Sequence, residues 1–190
     1  MKYNMNSRKQ GREGMFVGRA STKQNKNIYQ RTREELQLTR ERAEELLESV
    51  TAERIEKIEN EKSLPYPDEV LRMAAKYKTP ILCNYYCANQ CPIGQQYVPE
   101  IKSKDLSQIV LEMLASLNSM SKQKERLIEI TVDGKIDEEE MEDFIDIQEE
   151  LERISVTVET LQLWAERMLA TGAIDPEQYK ACKAKRTILL

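Results

Sequence analysis

Histidine is absent from all 190 residues, and that absence excludes more chemistry than any residue present suggests. A Ser-His-Asp triad, a Cys-His nucleophile pair, a His-Glu zinc-protease motif and a Cys/His zinc finger all need an imidazole. Glycine and proline number six each, too few breakers for a turn-rich sheet protein of this length, so helix is the expected backbone. No phosphate loop, dinucleotide fingerprint or nucleophile elbow occurs, and an enzyme is not expected. Long apolar runs are missing too. Residues 1–27 hold no signal-peptide core. The longest uncharged stretch, 79–99, contains Pro80, Pro92, Gly94 and Pro99 and cannot be a lipid-facing span. The expectation is a soluble, cytoplasmic chain that makes no membrane contact. Its four cysteines then read as thiols or metal ligands rather than a disulfide framework.

What is abundant is charge, 33% of the chain, with a formal net of −4. At face value that opposes a nucleic-acid partner. Its distribution says otherwise. Residues 1–27 carry seven basic groups against Glu13 alone, net +6; residues 28–82 carry ten basic and twelve acidic, net −2; residues 83–190 carry twelve and twenty, net −8. The first segment has no apolar periodicity and reads as a basic disordered arm.

From residue 28 to 78 the pattern is of short helices. The first covers about 28–36. Thr39 can cap a second over 40–47, with Ala43, Leu46 and Leu47 inside, and Thr51 can cap a third over 52–60, carrying Ile55 and Ile58. Val50 and Ile55 have the spacing of a hydrophobic staple. Asp68 opens a fourth, with Val70, Leu71, Ala74 and Tyr77 at helical spacing. Residues 79–104 read as a cysteine-containing linker. Beyond it, Leu106, Val110, Met113, Leu117, Met120 and Leu127 form one heptad-like stripe. Phe144, Ile147, Leu151, Ile154, Val158, Leu161, Ala165 and Met168 form another, with an Asp133-Gly134 turn between them. Two such stripes predict an antiparallel hairpin over 105–190, closed by a short helix after Asp175-Pro176. The fold class is therefore all-α: a small helix-turn-helix bundle followed by a long helical hairpin.

Within 38–62, a capped helix with an inward Ala, a tight turn, and a second capped helix ending Ile55-Glu-Lys-Ile58-Glu59-Asn60-Glu61-Lys62 follow in order. This resembles the Cro and phage-repressor-like, or XRE-type, helix-turn-helix family, whose pattern is Ser-x-x-x-Ile-x-x-Ile-Glu-Asn-Gly-Lys. The resemblance covers 28–78, about a quarter of the chain; the cysteine segment and hairpin look like the distal part of uncharacterised bacterial regulators that carry this domain. It implies a transcriptional regulator of double-stranded DNA, with helix 52–60 in the major groove. Thr39 and Arg40 would approach phosphates, Thr51, Ala52, Arg54 and Lys57 would lie nearest the bases, and Lys62 near the backbone. A single such head binds weakly, so the hairpin is expected to form a homodimer or to engage a helical partner. Two departures stand out. Glu61 replaces the family's Gly, leaving Asn60 to take the left-handed conformation. Glu53 and Glu56 place acid on the recognition helix, where one can still accept from cytosine N4 and Glu53 can pair with Lys57. An adaptor that binds proteins rather than DNA is the competing reading.

Cys83, Cys87 and Cys91 lie at i, i+4 and i+8. In one straight helix the outer two stand about 12 Å apart along the axis. Zinc or an iron–sulfur cluster therefore requires the segment to fold back, with Cys182 as a fourth ligand. A redox-sensing pair that gates DNA binding, and plain apolar packing, are the alternatives. Asp133-Gly134 with Glu140 echoes a calcium loop, but Glu129 and Thr131 stand where its Asp-rich start would be, so a turn is expected. Trp164 reads as a packing residue near the hairpin seam.

Overall fold

The computed structural model describes residues 25–132 and 134–187, and among these it forms nine helices and no strand. The basic arm lies almost wholly outside the described residues. No helix among them is long and apolar enough to cross a membrane.

The head begins with α1 (Ile28–Glu35), α2 (Arg40–Leu47) and α3 (Ala52–Glu59), each opened by a side chain that accepts from the backbone three residues on. Asn27 accepts from Gln30 N, Thr39 from Arg42 N and Thr51 from Arg54 N, at 3.0, 3.2 and 3.2 Å. Such caps satisfy amides that would otherwise lack partners. Asn27 also donates to the Ile58 carbonyl at 2.8 Å, tying the start of α1 to the end of α3. The next helix, α4 (Pro67–Lys76), starts one residue before the expected Asp68. Pro67 occupies its first position, and Glu69 reaches back to accept from Tyr66 N at 2.7 Å.

With so few glycines, the head turns its corners on other residues. Gln37, Glu48, Glu61 and Lys78 all have φ between 55° and 65°, a left-handed region that costs an L-residue roughly 1–2 kcal/mol. After α3 it is Glu61, at φ 58°, that takes this conformation; Asn60 stays at −92°. The expectation for Asn60 was off by one residue. The Lys62 amide bonds the Lys57 carbonyl at 2.9 Å, so the turn belongs to the residue after the cap.

Residues 79–104 are more than a linker. They form α5 (Ile81–Asn89) and α6 (Gly94–Tyr97), and α5 packs on α4. Leu82 is fully buried within the same core as Tyr29, Ala43, Leu47, Ile55, Ile58 and Met73. Tyr29 meets Tyr85 edge-on at 6.0 Å and donates to Gln90 at 2.9 Å, which joins α1 to α5. The Asn84 amide then clamps the outgoing chain, donating to the Pro99 carbonyl and accepting from Ile101 N.

The two long helices, α7 (Leu106–Ile130) and α8 (Met141–Thr171), pack antiparallel as expected, and α9 (Pro176–Thr187) follows. Their seam is rotated from the expected stripes, sharing only Ile147 with them among its fully buried residues. Ile109, Ser116 and Ile130 are buried on α7, with Ile147, Glu150, Thr157 and Thr160 on α8; Leu106, Val110, Leu117, Leu151 and Val158 are exposed. Small side chains let the backbones approach, and the Thr157 and Thr160 hydroxyls donate to their own helix at 2.8 and 2.6 Å, so they bury without orphaned polar atoms. Trp164 lies at the base of the hairpin instead, in a cleft of about 280 Å³ against Lys78, Pro80 and Ile81 of the head.

Two stability outcomes follow from the head. Arg33 of α1 donates two hydrogen bonds to the buried Glu59 of α3, so Glu59→Ala, which leaves that guanidinium without its carboxylate, is expected to lower unfolding free energy by about 3–5 kcal/mol in a urea titration. Glu61→Gly relieves the left-handed strain against a loss of about 0.5–1 kcal/mol in backbone entropy, for a net gain of about 0.5–1 kcal/mol in the same titration.

Candidate nucleic-acid interface

A four-residue corner separates α2 from α3. Glu48 takes the left-handed turn, Ser49 is exposed, Val50 is buried and Thr51 opens α3. The Ala52 amide donates to Glu44 at 3.0 Å, fixing the start of α3 against α2. Behind it, Ile55, Ile58 and Glu59 face inward and are each 1–2% exposed.

Glu59 is the buried centre of the head. It accepts from Arg33 at 2.5 and 3.0 Å and from Arg40 at 2.9 Å, while Arg33 also donates to the Leu38 carbonyl. Burial alone would lower the Arg33 pKa; the bonds to Glu59 more than reverse that and raise it. Arg54 is similarly occupied. It donates through Nε and Nη2 to Glu69, both at 2.7 Å, and to Ser63 and the Leu64 carbonyl, with its guanidinium 4.9 Å from the Tyr66 ring centroid. The Glu69 hydrogen bonds raise Arg54. Burial pushes Glu69 up, but Arg54 and the Tyr66 amide hold it below the ordinary carboxylate value.

The residues expected to meet DNA therefore divide. Thr39 and Thr51 are helix caps, Ala52 is half-buried, and Arg40 and Arg54 are bound into the fold. Lys57 and Lys62 are exposed. Lys57 pairs with Glu53 at 2.7 Å across one turn, with side chains 51% and 77% exposed, an arrangement worth only about 0.3–0.5 kcal/mol. Glu53, Lys57 and the half-exposed Asn60 make up the outer side of α3. Sequence reasoning missed Arg33, Glu59 and Glu69 as the groups that set this surface. Two of them had a signal: Glu59 stands in the Ile-Glu-Asn element of the family pattern, and Glu69 lies three residues after the Tyr66 that precedes α4.

Among the described residues, no group of three or more Cys, Asp or Glu is placed to hold a metal ion. Cys83 and Cys87 share the continuous helix α5, Cys91 lies just past its end and Cys182 is exposed on α9. The fold-back that a shared zinc or iron–sulfur cluster needs is not formed. Nor does an intact α5 suit a disulfide, since i,i+4 Cβ atoms stand about 5–6 Å apart against the ~3.5–4.5 Å required. Burial also pushes the Cys83 thiol up, away from the reactive thiolate. The close approach here is between backbones. A Cβ on Gly94 would sit 2.1 Å from the Cys87 carbonyl oxygen, so only glycine lets α6 fold against α5.

Comparison with known proteins finds no family model, no curated protein and no solved structure that matches this chain.

Because the folded pKa of Glu69 is depressed, its contribution is complete above the ordinary value of 4.5 and is lost as pH falls through the lower folded one. Thermal melts from pH 6 to pH 3 are expected to show Arg54→Met less stable at pH 6. Its stability should fall less steeply with acid than that of the parent chain.

Proposed function

We propose that the chain is a sequence-selective, double-stranded-DNA-binding regulator that places α3 in the major groove. The observation that carries this reading is the division of labour on α3. Its inner side is locked to α1, α2 and α4 by Glu59, Arg54 and the two isoleucines, whereas its outer side bears polar side chains that, among the described residues, pair only within the helix, Lys57 with Glu53 and Asn60 with Glu56. A rigid helix with one uncommitted polar side is what groove readout requires.

The residue roles differ from the sequence expectation. Arg40 and Arg54 support the helix and do not read bases. Asn60, once its amide leaves Glu56, can pair with adenine N6/N7, Glu53 can accept from cytosine N4, and Lys57 reaches guanine or phosphate once released from Glu53. Phosphate attraction comes chiefly from the net +6 of residues 1–27, because the rest of the chain is acidic. Heads act in pairs, through a second copy of the chain or another helical protein.

One observation favours a protein-binding adaptor instead: Glu53 and Glu56 give α3 an acidic cast that phosphates disfavour. Fluorescence anisotropy with mixed genomic fragments across a salt series separates the two. A regulator should show log affinity falling linearly with log salt, a shallower slope after deletion of residues 1–24, and roughly tenfold weaker discrimination among sequences in Lys57→Ala/Asn60→Ala. Absence of binding at low salt, with the fold intact by circular dichroism, would leave the adaptor.

A further inference from the structure

The hairpin holds more apolar surface than its own seam covers. At about 100° per residue, Leu106, Val110 and Leu117 lie roughly 60–100° to one side of the buried Ile109 and Ser116 on α7. Leu151 and Val158 lie roughly 100° to one side of the buried Glu150 and Thr157 on α8. Both displacements are clockwise when each helix is viewed from its own N-terminus. Because the helices run antiparallel, opposite viewpoints turn equal rotations into one direction, so both rows emerge on the same face. The Arg126–Asp143 pair at 2.5 Å sets the register. Nine residues back along α7 and nine forward along α8, Leu117 stands level with Glu152 and so beside Leu151; Val110, seven residues further, stands beside Val158. These side chains are 40–50% exposed.

The size and charge of this face indicate what covers it. With 25 residues at about 1.5 Å each, α7 is about 37 Å long, and two helices about 10 Å across give a face of roughly 700 Å². A stable interface buries about 800 Å² per partner, while monomers seldom leave more than a few hundred Å² of contiguous apolar surface. Within about 50° of the middle of the face, the helices contribute a single charge, Lys124. The rim on α8 is Gln148, Ser155 and Gln162, polar and uncharged at heptad spacing. The acid of the hairpin lies elsewhere: Glu112 and Glu149 border the cleft on the opposite side, with Arg153. For a half-chain of net −8, this is the side by which two identical hairpins meet without opposing like charges. A foreign partner chosen by electrostatics would need a face with a sign, and this one has almost none.

We infer that a second copy of the chain docks on this face, so that two hairpins form an antiparallel four-helix bundle about a two-fold axis. The inference deepens the pairing of heads proposed above and rests on that part of it alone. Its test contains no DNA, so the two readings fail separately.

The test is sedimentation velocity on the full chain from 0.5 to 200 µM. The parent chain should sediment as a dimer over most of that range. Leu117→Glu and Val158→Glu, at positions already half exposed, should keep the helical circular dichroism signal and raise the midpoint of dimer dissociation at least tenfold. Lys122→Glu, on the far side of α7, should leave the midpoint unchanged. A parent chain that is monomeric at 200 µM overturns the inference. So does a dimer indifferent to both substitutions, which would place the interface elsewhere.

Discussion

The head is organised around a single buried carboxylate. Glu59 is 1% exposed and accepts from Arg33 of α1 and Arg40 of α2, so three helices converge on one charge. Burying a charge is unfavourable unless it is paired and its remaining lone pairs are filled. Here two guanidiniums do both, and the Arg33 bond to the Leu38 carbonyl extends the lock into the corner before α2. Such a cluster adds little net stability compared with apolar packing, but it tolerates few alternatives. A rotation or slide of α3 that left Ile55 and Ile58 buried would leave the carboxylate unpaired. Apolar contacts hold α3 down; the ion cluster sets which way it faces.

That orientation has a consequence for the surface. Arginine is the side chain best suited to phosphate and guanine, yet Arg33, Arg40 and Arg54 are all bound to carboxylates within the head. Little cationic surface is left on α3, chiefly Lys57, and it shares that surface with Glu53. If the chain binds DNA as proposed, long-range attraction to that polyanion comes from elsewhere, and the arm is the one segment of strong positive charge. Separating the two roles is physically coherent. Attraction falls off with distance and salt and needs no fixed geometry, whereas base discrimination needs a rigid support and little net charge.

Local signals were the legible ones. Thr39 and Thr51 cap the helices they were expected to cap, and α2 has its expected bounds, because caps and apolar spacing are written within a few residues. Arg54 was not legible. Its partner Glu69 lies fifteen residues away beyond a proline turn, and no local pattern distinguishes an arginine that clamps a neighbouring helix from one that faces solvent. Residues 79–104 failed for a related reason. Proline and cysteine suggested a loop, but Leu82, Tyr85 and Tyr86 found a core already assembled by α1 to α4, and tertiary burial overrode weak helical preference. In the hairpin the existence and pairing of the helices were legible, while the rotation of each about its axis was not. A heptad stripe marks where an apolar face lies, not which neighbour takes it.

That rotation links the hairpin to the head. A seam of Ser116, Thr157 and Thr160 brings α7 and α8 close, and close helices bury a narrow strip of each, leaving the wider apolar stripe to one side. The base of the hairpin is fastened to the head at two places. Asn84 holds the chain into α7 through Pro99 and Ile101, and Arg167 of α8 donates to Ser103 at 2.6 Å. Both long helices therefore leave the head with little freedom to swivel. If the hairpins pair along the stripe, the two heads are held at a separation fixed by helix length and by these fastenings, with no flexible joint between interface and α3. A seam rich in threonine thus does two things at once. It makes the hairpin thin enough to expose a second face, and it keeps both long helices in one unit, so that the fastenings at Asn84 and Arg167 would let pairing on that face position the heads.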